Sequence, residues 1–306
     1  MRPVRIITDS CSDLTPELME KYGIDYGRMN TVYNGDVKVA DLSWSAEEAH
    51  KFYDIIRGGD RITTTQVPVE EFDRVFRKYL DKGEDVMYIS CSNKQTSSIF
   101  TAQKHAEELK KEYPDAQIRC IDSLHASVGE GMIAIGAAKL AAEGKAIDEV
   151  EEGVRELIRT THEFLTVHSL EYLKRAGRVK ATAAFFGNLM GVKPIIIANT
   201  EGEQAPVMKV KGRLTSFKTI VSLLKAAMDT GADGNAAKTI YIAHADCAQA
   251  ELDALKDLIR AEFPGSEIIA LMMGPIIGAS VGPDAVSVFG VGTPVKNSLS
   301  GSPLNS

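Results

Sequence analysis

The sequence predicts an α/β protein built as two α/β domains, and three observations predict it. Short continuous apolar runs end in Asp or Ser, pass through hydroxyl-rich turns and lead into helices, three times in the first half. The alternation resumes after two consecutive helical stretches, 126–143 and 147–160, interrupted by Gly144. The 306 residues are enough for two cores of ordinary size.

VRIITDS (4–10) is the first strand, and its unbroken apolar character fits a mostly parallel N-terminal sheet covered on both faces. Tyr26 to Trp44 reads as irregular, with helical patterns following around 45–57 and 69–82. TTTQVPVEEF (63–72) reads as a loop and a helix start, with Glu70 and Glu71 in the first turn, where the helix dipole favours acids. VMYISCS (86–92) and IRCIDS (118–123) are the next two strands, and the first of them leads into a helix reaching about Lys111. The domain border falls at the end of the 147–160 helix, so 1–160 forms an N-terminal domain and 161–295 a C-terminal one. There EFLTVHS, VKPIIIA, KTIYIAH, SEIIALMM and AVSVFGVG read as strands. LEYLKRAG, ATAAFFGNLMG (181–191), 215–229 and 247–262 read as helices. A cleft is expected between the domains. Residues 296–306 have nothing to pack and read as a disordered tail.

A net charge of -7 argues against a nucleic-acid groove, which needs clustered Lys and Arg. Cys11, Cys91, Cys120 and Cys247 are widely spaced with no CxxC pair. They suggest neither a zinc framework nor a disulfide scaffold, and fit a reducing cytoplasm with no resident metal or cofactor. MRPVRIITDS enters a strand directly, without a signal peptide, and no apolar run reaches the roughly 20 residues of a membrane span.

GASVG (278–282) matches the G-x-S-x-G pattern of a hydrolase nucleophile elbow, which needs a strand, a sharp turn and then a helix. Gly-Pro pairs flank it and β-branched AVSVFG follows, so a Gly-rich backbone loop is the expected structure. In HAD (244–246), one His and one Asp make no metal site, and Asp246 reads as the cap of a helix starting near Cys247. His125 reads as a surface-turn residue. No phosphate-binding glycine motif for ATP or a dinucleotide is present. The stretch ISCSNKQTSSIFTAQ (89–103) carries six hydroxyls and no base. Hydroxyls at strand-to-helix turns suit an anion, although helix capping also explains some of them. Phe185, Phe186, Leu189 and Met190, with Met272, Met273, Ile276 and Ile277, read as core residues that could also line a hydrocarbon pocket.

Together these motifs resemble the DegV family of bacterial fatty-acid-binding proteins, acyl-carrying subunits of fatty acid kinase. TDSCSDL (8–14), TTQ (64–66), SNKQTSSIFTA (92–102), DSLHASVGEG (122–131), LEYLKRAGRV (170–179), GVKPII (191–196) and GPIIGASVGPDA (274–285) are similar to family motifs and occur in family order. The resemblance implies a lipid cleft between two DegV-like domains. It assigns the fatty-acid carboxylate to Thr64 and Thr96, with Ser280 where the family commonly has a carboxylate-supporting His. A hydroxyl cannot supply the imidazole contact, so head-group recognition is expected to differ there. The acyl pocket is assigned to Ile99, Phe185, Phe186, Leu189, Met190, Met272 and Ile276. Contact with the kinase is assigned to Arg178, Lys211 and Arg213.

The implied role is non-catalytic. The chain holds a long-chain fatty acid and presents its carboxylate to a separate subunit that supplies ATP and Mg²⁺ and makes an acyl phosphate. Transient contact with a membrane surface belongs to the same picture of lipid transport, and nucleic acid does not. Two other readings stand beside it: a serine hydrolase acting through GASVG, and a regulatory binding protein indifferent to lipid.

Overall fold

A computed structural model describes residues 2–179, 191–228 and 239–296. The elements begin with β1 (Val4–Asp9), α1 (Pro16–Tyr22), β2 (Asp25–Gly27), β3 (Met29–Tyr33), β4 (Asp36–Ala40), α2 (Ala46–Arg57), β5 (Thr63–Thr65) and α3 (Val69–Leu80). Next come β6 (Asp85–Ser90), α4 (Ser98–Leu109), β7 (Ile118–Asp122), α5 (Val128–Ala142), α6 (Ile147–Thr160), β8 (Thr161–Thr166) and α7 (Leu170–Ala176). The remainder are β9 (Val192–Ala198), β10 (Gln204–Lys211), α8 (Arg213–Met228), β11 (Thr239–His244), α9 (Gln249–Glu262), β12 (Glu267–Met272), α10 (Pro275–Val281) and β13 (Val286–Val291).

The chain forms two compact units. The first comprises Met1–Ala46, Arg61–Ile158 and Gly274–Ile277; the second comprises Glu47–Asp60, Arg159–Met273 and the chain from Gly278. In the first, β2-β1-β6-β7 make an all-parallel sheet. Consecutive residues of its strands feed opposite cores, because side chains alternate across a sheet. Ile7, Val86, Tyr88 and Ile118 pack against Phe72, Phe76, Ile99 and Leu109 from α3 and α4. Ile6, Met87, Ile89 and Ile121 pack against Ile133, Ala137, Val150 and Val154 from α5 and α6. Buried on both faces, these strands read in the sequence as continuous apolar runs.

A second small sheet, β4-β3-β5, occupies much of the segment expected to be irregular. Asn34 and Gly35 have φ of 51° and 87°, the left-handed pair of a two-residue hairpin, and Tyr33 pairs with Asp36 around them. Thr63–Thr65, expected as loop, pairs with β3 as β5. Exposed Val37 and Val39 on β4 blur the inside-outside alternation that would have marked the strand.

In the second unit the sheet order is β10-β9-β8-β13-β11-β12, parallel only between β11 and β12. Helices α8 and α9 cover one face, with Phe217, Ile220, Leu224, Leu255 and Ile259 against Phe164, Ile195, Ile240 and Val288. Helix α9 begins at Gln249, with Ala248 in the cap position. Asp246 is therefore not its cap: at φ 52° it accepts from Arg57 Nη1 at 2.7 Å and lies 2.8 Å from His50 Nδ1. His125, expected at the surface, is 3% exposed, with Nε2 3.3 Å from the Ile158 carbonyl oxygen. The ATAAFFGNLMG reading and the 296–306 tail lie almost wholly outside the described residues. Among the described residues no helix is long and apolar enough to cross a membrane.

Candidate functional site

Parallel pairing brings the carboxyl ends of β1, β6 and β7 side by side, where open α/β sheets meet their ligands. Polar groups lace the loops that leave them. Asp9, fully buried, accepts the N–H groups of Cys11 at 2.9 Å and Cys91 at 3.3 Å and the Tyr88 hydroxyl at 2.6 Å. Burial pushes its carboxyl up against those three donors, and pushes the Tyr88 hydroxyl well up beside it. Ser92 N–H donates to the His125 carbonyl at 2.8 Å, and Ser123 N–H to that of Ser90 at 3.0 Å. Asp122 accepts N–H groups from Leu124 at 3.0 Å and Asn93 at 3.3 Å. Asp13 carries a third tie: Ser127 Oγ donates to it at 2.5 Å and Gly274 N–H at 2.7 Å. Asp13, Leu124 and Ser127 hold φ of 52°, 55° and 55°, so backbone strain is concentrated in these turns.

The hydroxyl-rich loop sits on this platform. The segment carrying Thr64 is drawn onto the first turn of α4: Val67 N–H donates to Ser98 Oγ at 3.2 Å, and Gln66 Nε2 to Thr101 Oγ1 at 2.9 Å. Ser98 Oγ shares a 2.9 Å hydrogen bond with Thr96 Oγ1, which also accepts the Ser98 N–H at 3.3 Å. Thr64, half-buried on β5, pairs with Thr31 of β3. The loop's hydroxyls therefore divide by role. Ser90 Oγ donates to the Cys91 carbonyl and Ser92 Oγ accepts from Lys94 N–H, both inside the fold. Ser97, at the cap position of α4, makes no side-chain cap bond. Half-buried Thr96 instead takes the first N–H of the helix, that of Ser98, and so stands at its positive dipole end. Such a place can hold an already ionised carboxylate without any base.

The structure gathers some of the expected residues within the first unit. Thr64 and Thr96 lie on segments joined through Ser98, and Ile99 and Ile276 share one core cluster. Met272 is half-buried on β12 in the second unit. Phe185, Phe186, Leu189 and Met190 lie outside the described residues. Ser280 is the last residue but one of α10, and the stretch expected as a Gly-rich loop is helical because Pro275 opens it and Gly282, at φ 77°, ends it. A nucleophile elbow needs its Ser at the strand-to-helix turn, and Ser280 comes more than one helical turn later. A Cβ on Gly278 would strike the Tyr53 ring, whose hydroxyl donates to the Met273 carbonyl at 2.7 Å.

Arg213 is anchored rather than extended: it donates to Glu251 at 2.9 Å and to the Asp284 carbonyl at 2.6 Å, with its guanidinium 4.5 Å from the Phe217 ring centre. Lys211, at the end of β10, and Arg178 are exposed. Sequence reasoning assigned no role to Asp9, Asp13 or Ser98; their place inside the TDSCSDL and SNKQTSSIFTA motifs was the available sign.

The family model described as uncharacterised protein, DegV family, matches residues 3–292. A DegV domain-containing protein of Clostridium perfringens is 31% identical over 95% of this chain and 98% of its own length. One from Caldanaerobacter subterraneus is also 31% identical, over 94% and 99%. Among solved structures, a DegV lipid binding protein from Thermotoga maritima superposes with a TM-score of 0.80 at 25% identity, covering 96% of this chain and all (100%) of that one. A stearic-acid-binding protein from Eubacterium ventriosum has a TM-score of 0.84 at 21% identity, over 95% and 98%, and matches in fold. The chain belongs to the DegV family.

Proposed function

We propose that this protein binds a long-chain fatty acid and presents its carboxylate to a separate ATP-dependent kinase subunit, which forms the acyl phosphate. The observation that carries the reading is the docking of the Thr64–Val67 segment on the first turn of α4, with Ser98 bridging Val67 and Thr96. The Thr64 and Thr96 hydroxyls and the helix N-terminus orient the anion, and Ile99 begins the apolar lining. Lipid binding by the Thermotoga relative supports the ligand class. Each buried methylene contributes roughly 0.8 kcal/mol, so a long tail dominates affinity while the hydroxyls set orientation. The kinase subunit brings ATP and Mg²⁺, and exposed Arg178 and Lys211 are the cations offered to it.

Lipid extraction and mass analysis of protein purified from a bacterial host tests the ligand: a co-purified fatty acid is expected. Failure to retain or rebind one after delipidation would remove the proposal. The geometry is tested by Thr96→Val. A lost hydrogen bond to a charged group is worth roughly 1.5–3 kcal/mol, so kinase-dependent phosphorylation should fall about tenfold or more. Fatty-acid affinity should fall by a comparable factor and remain dominated by the tail. Undiminished phosphorylation would take Thr96 out of the mechanism.

A further inference from the structure

We propose that Cys11, Cys91 and Glu130 form a binding site for a thiophilic divalent cation, Zn²⁺ in the first place. Cys11 Sγ, Cys91 Sγ and a Glu130 carboxylate oxygen all lie within 4.8 Å of one another, the one such convergence of three His, Cys, Asp or Glu groups found among the described residues. They come from the loop after β1, the end of β6 and the first turn of α5. Donor atoms around a single Zn²⁺ stand about 3.5–3.8 Å apart, so side-chain shifts of about 1 Å would close the set. Two sulfurs and one carboxylate oxygen suit Zn²⁺ better than the oxygen-seeking Mg²⁺ or Ca²⁺. The Met29 thioether, 3.6 Å from Cys11 Sγ, adds a further soft atom to the wall.

A second observation points the same way. Glu130 is fully buried, and its Oε1 accepts from the Thr8 hydroxyl at 2.5 Å and Asp9 N–H at 3.4 Å. Its Oε2 is buried with no hydrogen-bond partner. Buried carboxylate oxygens are almost always satisfied, and this one belongs to a carboxylate beside two thiols. Asp9 adds another buried acid, yet its hydrogen bonds come from backbone N–H groups and Tyr88. Among the described residues no Lys, Arg or His side chain bonds to either thiol or to either carboxyl group. A divalent cation would supply the positive charge that ionising the two thiols and Glu130 requires. Its binding displaces the two thiol protons to solvent, with no change of oxidation state. Since Cys91 immediately precedes the loop bearing Thr96, the ion would also pin that loop to the β1 end.

Burial means that the ion enters during folding or a local opening. The full chain is therefore refolded under reducing conditions with Co²⁺, then titrated with Zn²⁺. One Co²⁺ per chain is expected, with a near-ultraviolet thiolate charge-transfer band that Zn²⁺ abolishes and a raised melting temperature. Cys91→Ser and, separately, Glu130→Gln should each weaken Zn²⁺ binding about tenfold or more while far-ultraviolet circular dichroism is retained. The Gln variant keeps the shape of the side chain, so it tests the site even where the Cys variant fails to fold. Absence of the band and of any thermal shift in the unmodified chain would overturn the proposal. So would a band undiminished in both variants, or a Cys11–Cys91 disulfide consuming the thiols in freshly isolated protein. None of these readouts depends on fatty acid or kinase.

Discussion

Asp13→Ala is expected to destabilise the first unit by about 4 kcal/mol, through two buried donors losing one acceptor. Asp13 is 2% exposed and receives both the Ser127 hydroxyl and the Gly274 N–H. An orphaned buried donor costs about 1–3 kcal/mol, and alanine at φ 52° adds strain that Asp and Asn tolerate better. Asp13→Asn keeps an oxygen at the site and the permissive backbone, so it should cost only about 1–2 kcal/mol. Urea denaturation ranks the variants, and hydrogen exchange at the Gly274 amide localises the loss. A Gly274 amide equally protected in wild type and Asp13→Ala would show that the hydrogen bond contributes nothing.

Glu163→Gln should do the reverse and stabilise the protein above neutral pH. Glu163 is buried within the second sheet, accepting from Gln204 Nε2 at 2.8 Å and, weakly, from Ser287 Oγ at 3.4 Å. Burial drives its carboxyl up from 4.5 to about 7, beyond what those two donors restore. A folded-state value above the unfolded one means that the folded chain holds the proton more tightly. The stability associated with that proton is complete below pH 4.5 and lost as pH rises through about 7. Glutamine removes the charge, and its amide can donate to the buried Gln204 Oε1, which has no partner. Its advantage should be near zero at pH 4.5, grow up to pH 7 and level off at about 3 kcal/mol, the equivalent of the shift. Urea midpoints for both proteins at pH 5 and pH 8 measure it. A difference that ignores pH would place the proton elsewhere.

The parallel core was legible because strands buried on both faces are written as uninterrupted apolar runs, as in VRIITD and DVMYIS. The β3–β4 hairpin was not, although Asn34-Gly35 marks its turn, because Val37 and Val39 face outward and spoil the alternation. Asp246 was misread since a short acidic side chain before a helix resembles a cap; Arg57, distant in sequence, holds it instead. At the candidate site, Thr64 and Thr96 were named by resemblance alone, and nothing local marks Ser98 as the residue joining their segments. The Cys11–Cys91–Glu130 convergence escaped spacing rules altogether, since its members meet only when β1, β6 and α5 are assembled.

The first unit takes its last piece, Gly274–Ile277, from far down the chain. A ribosome making this protein therefore cannot finish that unit until most of the second has already been translated. Until then the Asp13 carboxylate waits without its Gly274 partner and Ile276 is missing from the core. A nascent chain stalled near residue 160 should accordingly be more open to proteases than the released product.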